Sequence, residues 1–283
     1  MNTTAEVLAP GLILYRHVLD TDWEALCQFA DKQSQKEWDS MYTPGTDPLT
    51  GEQGYLNRNG YFFPNEGINQ MPRHCAYLYN SPDPKVTEML IALEEAREQC
   101  VADYMEHYPV VAQSVWWKIK GHILVYPPGA SLGIHADTST DYKYGVPHPT
   151  HQIATRTVIS TLTFFNNCVS ECWELNGTNY MGGIVRFPYL DVEYTPQTGD
   201  LLVFPSNYMG AHEATVVQQG TRYSHVGWYC QGTPNMEVNE FALDPNSASE
   251  DEVLKTTNVY LTEPLGPAME KAWAGAARKP RAE

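Results

Sequence analysis

Positive charge is scarce in this chain: 18 Lys and Arg stand against 34 Asp and Glu, a formal net charge of −16 over 283 residues. Such a surface repels a phosphate backbone, and no Lys/Arg cluster offsets it locally, so nucleic acid is not expected as a partner. Long hydrophobic runs are lacking too. No segment approaches the roughly 20 consecutive apolar residues that span a bilayer, so a membrane helix is not expected. The opening stretch MNTTAEVLAPGLILYRH has neither a basic leader nor a small-residue cleavage site. The expectation is therefore no signal peptide and a cytoplasmic location. Cysteines are few and scattered, at Cys27, Cys75, Cys100, Cys168, Cys172 and Cys230. Cys168 and Cys172 are close, but no second Cys/His pair completes a zinc-finger spacing, so reduced thiols are expected. There is no internal repeat, and the only biased tract is DPNSASEDE.

What is present reads as a globular protein with a real core, since 42% of the residues are hydrophobic and 12% aromatic. The length fits one large domain with additions, or two small ones. Residues 1–20 read as an extended segment. DTDWEALCQFADKQSQ then places Trp23, Leu26, Cys27 and Ala30 at helical spacing, with Asp20 or Thr21 as the cap. Residues 36–82 are rich in Gly, Pro, Asn and Tyr and predict loops and short strands, among them AYLY at 76–79. The strongest helix is DPKVTEMLIALEEAREQCVADYMEHYP. Pro84 suits its first turn, Val86, Met89, Leu90, Leu93, Ala96 and Val101 form its apolar side, and Pro109 ends it.

From 111 to 232 the period changes to two. SVWWKIK, HILVYP, SLGIHAD, TRTVISTLTFF, GGIVRF, VEYTP, DLLVFP, HEATVVQ and RYSHVGWYC predict short strands separated by turn signals. Many short strands without intervening helices predict an antiparallel sandwich or barrel. The expected organisation is a helical and loop region at 1–110 packing on a core at 111–232. A polar extension at 233–283 follows, with GPAMEKAWAGAARKP as a last helix.

Within SLGIHAD, His135 and Asp137 are two apart and point the same way in a strand. Either they pair with each other or a cation sits between them. One further histidine, His212, opens a later strand after GDLLVFPSNYMGA. Two imidazoles and a carboxylate cover one face of an octahedral ion and leave three positions open, as in the facial triad of non-haem Fe(II) oxygenases. Arg222 lies ten residues beyond His212, across the turn QQGT. In RYSHVGW, Arg222, Ser224, Val226 and Trp228 share one face, which offers a guanidinium, a hydroxyl and an aromatic wall. Arg holds a carboxylate bidentately and Ser adds a hydrogen bond. Tyr126, nine residues before His135, offers a phenolic donor. These residues describe a metal face beside a socket for a small dicarboxylate.

At these residues the chain resembles the Fe(II)/2-oxoglutarate-dependent dioxygenases, in their prolyl-4-hydroxylase-like branch. YPPGASLGIHAD, RTVISTLTFFNN, YMGGIVRFP, GDLLVFPS and HEATVVQQGTRYSHVGWY carry the resemblance, over about residues 121–232. It implies a mainly β fold with flanking helices around a double-stranded β-helix, the jelly-roll or cupin-like core. It implies that His135, Asp137 and His212 bind Fe(II), that Arg222 salt-bridges the distal carboxylate of 2-oxoglutarate, and that Tyr126, Ser224 and Trp228 line the cosubstrate pocket. Ser160 matches a Thr that hydrogen-bonds the cosubstrate. The implied reaction consumes O2 and 2-oxoglutarate, releases succinate and CO2, and hydroxylates an unactivated C–H bond. Related halogenases lack the carboxylate; Asp137 argues for hydroxylation, desaturation or ring closure. The chain departs from the collagen-type enzymes in having Arg222 where they have Lys, and Phe164 or Phe165 before Asn166 where many members have Tyr.

Other residues are expected outside this chemistry. His225 falls on the face opposite Arg222, His148 and His151 sit in a loop, and Arg156 and Arg186 are strand-end charges. The expected substrate is a small molecule, an amino acid or natural-product intermediate, because the inserts at 36–82 and 138–155 can close over a compact ligand. The alternatives are a residue of a protein or peptide, a zinc hydrolase that would leave Arg222, Ser224 and Trp228 unexplained, and a non-catalytic metabolite-binding β-barrel.

Overall fold

The computed structural model of the chain describes residues 4–57, 60–75, 81, 83–138, 157–231 and 262–264, without the side chains of 116, 117, 120 and 262–264. The stretches AYLY and GPAMEKAWAGAARKP, together with His148, His151 and Arg156, lie outside the described residues.

The N-terminal segment is a hairpin of β1 (Ala5–Ala9) and β2 (Leu12–Tyr15). Helix α1 spans Trp23–Met41; its cap is Asp22, whose side chain accepts from the Ala25 amide, in place of the expected Asp20 or Thr21. The insert that follows holds a three-stranded antiparallel sheet of β3 (Tyr42–Thr46), β4 (Gln53–Asn57) and β5 (Phe62–Pro64). Next come the short α2 (Asn65–Asn69) and the strand β6 (Arg73–Cys75). Helix α3 runs Pro84–His107, with Pro84 in its first turn and Asp83 capping the Lys85 amide. Pro109, expected to end a helix, also starts the single turn α4 (Pro109–Ala112), as its missing N–H allows.

The β region begins with β7 (Val115–Tyr126), β8 (Leu132–His135), β9 (Thr157–Phe164) and β10 (Cys168–Val169). It continues with β11 (Tyr180–Gly182), β12 (Val185–Phe187), β13 (Val192–Tyr194) and β14 (Leu201–Pro205). It closes with β15 (His212–Ala214), β16 (Val217–Gln219), β17 (Arg222–Gln231) and β18 (Thr262–Pro264). The major sheet has the order β1-β2-β14-β9-β17-β7-β18, with β6 also pairing β7, and the minor sheet the order β13-β12-β15-β8. Two facing antiparallel sheets of this kind make the jelly-roll of a double-stranded β-helix.

Strand alternation divides the core. Leu12, Leu14, Leu162, Phe164, Leu202 and Phe204 point between the sheets. Ile13, Tyr15, Ile159, Leu201 and Val203 point the other way, against Ala96, Val101 and Tyr104 of α3. Both faces of the central strands are therefore buried, which is why LILY and LLVF read as continuous apolar runs. A smaller cluster joins Leu26 of α1 and Leu90 of α3 to Ile123 and Val125. All six cysteines are free. Among the described residues no helix is long and apolar enough to cross a membrane.

Candidate active site

The site forms where the two sheets open beside β8 and β15. His135 and His212 are direct cross-strand partners, with ring centroids 4.5 Å apart. Asp137 lies two residues past the end of β8, in a turn fixed by the bond from the Thr138 amide to the Ser206 carbonyl. The same-strand argument therefore covers only His135, yet the aspartate still converges with it. Its Oδ1 stands 3.5 Å from His135 Nε2. One ligand atom from each of His135, Asp137 and His212 falls within 4.8 Å of the others.

Surrounding groups fix how these donors are presented. His135 Nδ1 is 2.8 Å from the Gly133 carbonyl and His212 Nδ1 is 3.0 Å from the Gly210 carbonyl. A carbonyl only accepts, so each Nδ1 carries a proton and each Nε2 is turned toward the cluster, the usual arrangement behind a metal-binding histidine. Burial works against the charge of Asp137. The hydrogen bond with His135, the field of His212 and the Ser160 hydroxyl outweigh it and bring the carboxyl down to about 2. Burial lowers His212, whereas for His135 the Asp137 carboxylate and the Gly133 carbonyl overcome the effect of burial and raise it. Two imidazole nitrogens and one carboxylate oxygen are a donor set that suits Fe(II).

Ser160 is placed differently from the expectation. Its hydroxyl donates to Asp137 Oδ2 and lies 2.8 Å from Ser206 Oγ, and Ser160 does not line the cavity. Strand spacing locates the residue on the inward face but does not say which inward group takes the hydroxyl. Here the nearest acceptor is a carboxylate, and a charged acceptor makes the stronger bond.

A cavity of ≈ 390 Å³ runs from His135, Asp137 and His212 down to Arg222, with Leu124, Leu162 and Val226 on its apolar walls. Arg222 is 1% exposed. It donates to the Gly183 carbonyl at 3.2 Å and lies 4.8 Å from the centre of the Tyr126 ring and 5.5 Å from that of Phe164. Among the described residues no carboxylate comes within ion-pair distance of it, and its Nε has no partner. A buried cation without a counter-charge is costly, and it suits a place where an anion arrives with the ligand. Ser224 Oγ and Tyr180 Oη are also buried and unpartnered, and Arg222 acts electrostatically on Tyr180. Gly183 leaves the space beside the arginine: a Cβ there would sit 3.4 Å from Arg222 Cδ and 2.8 Å from Val217.

Arg222, Ser224, Val226 and Trp228 share the inward face of β17, and Tyr126 is the direct partner of Arg222 across β7. Trp228 lines the upper cavity. His225 points outward and is buried, with its Nδ1 2.9 Å from Arg97 Nη1. Arg186 pairs with Glu193 at 2.8 Å on the minor sheet. Asn166 ties three loops: its amide group donates to the Thr178 and Thr221 carbonyls, and its oxygen accepts from the Tyr223 amide. Tyr180 and Gly183, which lie beside Arg222, were not singled out from the sequence, although NYMGGIVRF carries a Tyr one residue before a glycine pair.

Residues 121–230 match the model of the 2OG-Fe(II) oxygenase superfamily. No curated protein matches the chain. Among solved structures it is similar to the viral collagen prolyl hydroxylase of Paramecium Bursaria Chlorella virus-1 in its 2OG complex, at 11% identity and TM-score 0.45, over 80% of this chain and 100% of that one. It is similar to a Pseudomonas putida prolyl-4-hydroxylase at 19% identity and TM-score 0.44, over 79% and 94%. It is also similar to the Trichoplax adhaerens prolyl hydroxylase in complex with a hypoxia inducible factor oxygen degradation domain peptide fragment, at 13% identity and TM-score 0.46, over 78% and 84%. Residues 121–230, the part that matches the 2OG-Fe(II) oxygenase superfamily, contain the three convergent donors and the buried arginine, and this region makes the protein a 2-oxoglutarate-dependent dioxygenase using Fe(II), 2-oxoglutarate and O2.

Proposed function

We propose that His135, Asp137 and His212 hold the Fe(II), that Arg222 with Ser224 and Tyr180 receives the distal carboxylate of 2-oxoglutarate, and that the outcome is hydroxylation of an unactivated C–H bond. The observation that carries this reading is a buried guanidinium without an anionic partner among the described residues, at one end of a cavity whose other end presents two imidazole nitrogens and a carboxylate. When bound, the iron and its cosubstrate supply an oxidative decarboxylation by O2 that yields succinate, CO2 and oxidising power toward a C–H bond.

The chain supplies position. The Gly133 and Gly210 carbonyls orient the imidazoles, and Ser160 holds one oxygen of Asp137 so that the other faces the histidines. Such supporting contacts typically change metal affinity or activity by about 10–100-fold when removed. Leu124, Leu162, Val226 and Trp228 keep the space between the two ends apolar, which excludes water from it.

The cavity also bears on the substrate. At ≈ 390 Å³ it lies at the small end of ligand pockets, about 300–1,000 Å³, and it has to take a five-carbon diacid as well as the reacting group. The room left suits a group of amino-acid size. A larger free molecule would extend past the cavity mouth, whereas a peptide need insert only the reacting residue. This supports a residue of a peptide or protein over a free small molecule. The test is succinate release by the full chain with Fe(II) and 2-oxoglutarate, offered free amino acids in one series and peptides in another. Release stimulated by peptides and lost in Asp137→Ala is expected. Stimulation by free amino acids alone would return the small molecule to first place, and release that needs no 2-oxoglutarate would overturn the oxygenase assignment.

A further inference from the structure

Among the polar residues of the cavity outside the ligand cluster and the arginine socket, His122 is the one buried imidazole. Between the pairs Val226/His122 and Trp228/Ile119, β7 carries an extra residue relative to β17. Gly121 sits in this bulge with φ +72°, and a Cβ on it would fall 1.8 Å from the Val226 carbonyl oxygen, so only glycine fits. Because of the bulge, the inward series Tyr126, Leu124, His122 continues with Ile119. Alternation from Tyr126 and Leu124 aims the His122 imidazole into the cavity wall at the end away from Arg222.

His122 is 5% exposed. Its ring lies against Trp228, centroids 5.6 Å apart, and stacks on the exposed His74 at 4.6 Å. Among the described residues neither ring nitrogen has a hydrogen-bond partner, and Nδ1 is sealed from solvent. An orphaned buried N–H is rarer than an under-used lone pair, which places the proton on Nε2, the nitrogen left to the cavity. Burial, with His74 and His225 nearby, holds the ring well below its ordinary pKa despite Asp137, so it is neutral. Among the described lining residues the only permanent cation is Arg222, at the far end. A substrate carboxylate beside His122 would be buried without a counter-charge, whereas a carbonyl oxygen would complete the imidazole.

We infer that His122 is a specificity-determining residue that donates one hydrogen bond from Nε2 to an uncharged acceptor of the substrate, an amide carbonyl. His74, stacked behind it at the rim, holds the ring in place. This inference rests on the proposed oxygenase reading and adds the chemical class of its substrate.

The test uses the full chain loaded with Fe(II) and 2-oxoglutarate under nitrogen. N-acetyl amino-acid N-methylamides covering the common side chains are titrated in, followed by the matching N-acetyl amino acids, while the visible metal-to-ligand charge-transfer band is recorded. Succinate release is then measured in air. Failure of the band to form before any probe is added overturns the parent reading, and this one with it. A band that responds to amides and not to the acids is expected. A band that responds to no amide, or equally to the acids, overturns the substrate class alone. His122→Gln keeps an N–H near the Nε2 position and should bind the responsive amide within about threefold of the wild type. His122→Leu should weaken it about tenfold, the worth of one neutral hydrogen bond, with the 2-oxoglutarate requirement unchanged. His122→Asn moves the N–H to the Nδ1 position and should weaken binding as the leucine does. Wild-type binding in His122→Leu, with the band intact, would overturn the role of the residue.

Discussion

The two faces of β17 each bury charge, and they treat it in opposite ways. On the outer face, against α3, Arg97 pairs with Glu94 and reaches His225 Nδ1 at 2.9 Å, while Lys118 lies 3.1 Å from Glu94 and also pairs with Glu98. Arg97 crosses the strand at Gly227, where a Cβ would sit 2.1 Å from its Nη1. On the inner face Arg222 is equally buried and meets only a carbonyl and two aromatic rings. The outer network balances its own charges and fastens a helix to the sheet. The inner face leaves a positive charge and a hydroxyl uncompensated beside the Tyr180 phenol, and across the cavity, on the minor sheet and just past it, three metal-type donors converge. Burial of charge alone does not distinguish a structural network from a site; the presence or absence of a counter-charge does.

The comparison can be broken most directly at its inner end. Asp137→Ala removes the one anionic donor of the cluster, and succinate formation should fall to background; turnover near the wild-type level would remove the cluster from the chemistry. Arg97→Met tests the outer end. It removes one cation from the mostly buried Glu94, and loss of one member of a buried pair costs about 3–5 kcal/mol, to be read from urea unfolding. Arg222→Met should act in the reverse sense. It removes about 1.5–3 kcal/mol of charge-assisted contact, raising the 2-oxoglutarate requirement roughly 10- to 150-fold, while the ligand-free protein unfolds at the same or a higher urea concentration. If Arg222→Met instead destabilised the free protein as much as Arg97→Met does, the contrast between the faces would be lost.

A smaller effect belongs to Ser160→Ala. It should weaken Co(II) binding, a redox-stable stand-in for Fe(II), by about tenfold and leave the 2-oxoglutarate contacts alone, whereas an effect confined to 2-oxoglutarate would restore the cosubstrate role expected of this residue. The gentlest test uses pH. Burial opposes the charge of Glu94, but Arg97 and Lys118 lower its pKa from 4.5. Its contribution is present above 4.5 and is lost as pH falls toward the lower folded value. Burial opposes the charge of Lys118 too, but Glu94 and Glu98 raise its pKa from 10.5, so its contribution is present below 10.5 and is lost as pH rises through the folded value. Glu94→Gln should flatten the acid limb of a stability–pH curve, and an unchanged limb would contradict the pairing.

Much of this was readable from residue order, for definite reasons. The helices α1 and α3 declare themselves by spacing, and β17 by strict alternation with Arg222 inward and His225 outward. His135, Asp137 and His212 were legible because their residue types have few other reasons to recur in one β region. Other features were hidden by tertiary context. SVWWKIK and HILVYP form the single strand β7, because Gly121 makes a bulge and not a break. HEATVVQ splits into β15 and β16 because Thr215 turns the chain: its hydroxyl and amide bond Ile184 on the minor sheet. The contact of the Ser160 hydroxyl with Asp137 was not legible, since alternation gives direction and not distance. His122 shares the inward alternation of Leu124 and Tyr126, but alternation alone does not tell a cavity-lining imidazole from one packed in a core.

The central claim is that one cavity joins an Fe(II) site to a 2-oxoglutarate socket. An anaerobic titration of the metal-free protein with Fe(II) and then 2-oxoglutarate tests it most directly, by the visible charge-transfer band that forms only when both share one centre. The account predicts a band in the wild type, none in His212→Ala, and a band that needs far more 2-oxoglutarate in Arg222→Met. Iron binding without a band, or a band unchanged in His212→Ala, would contradict it.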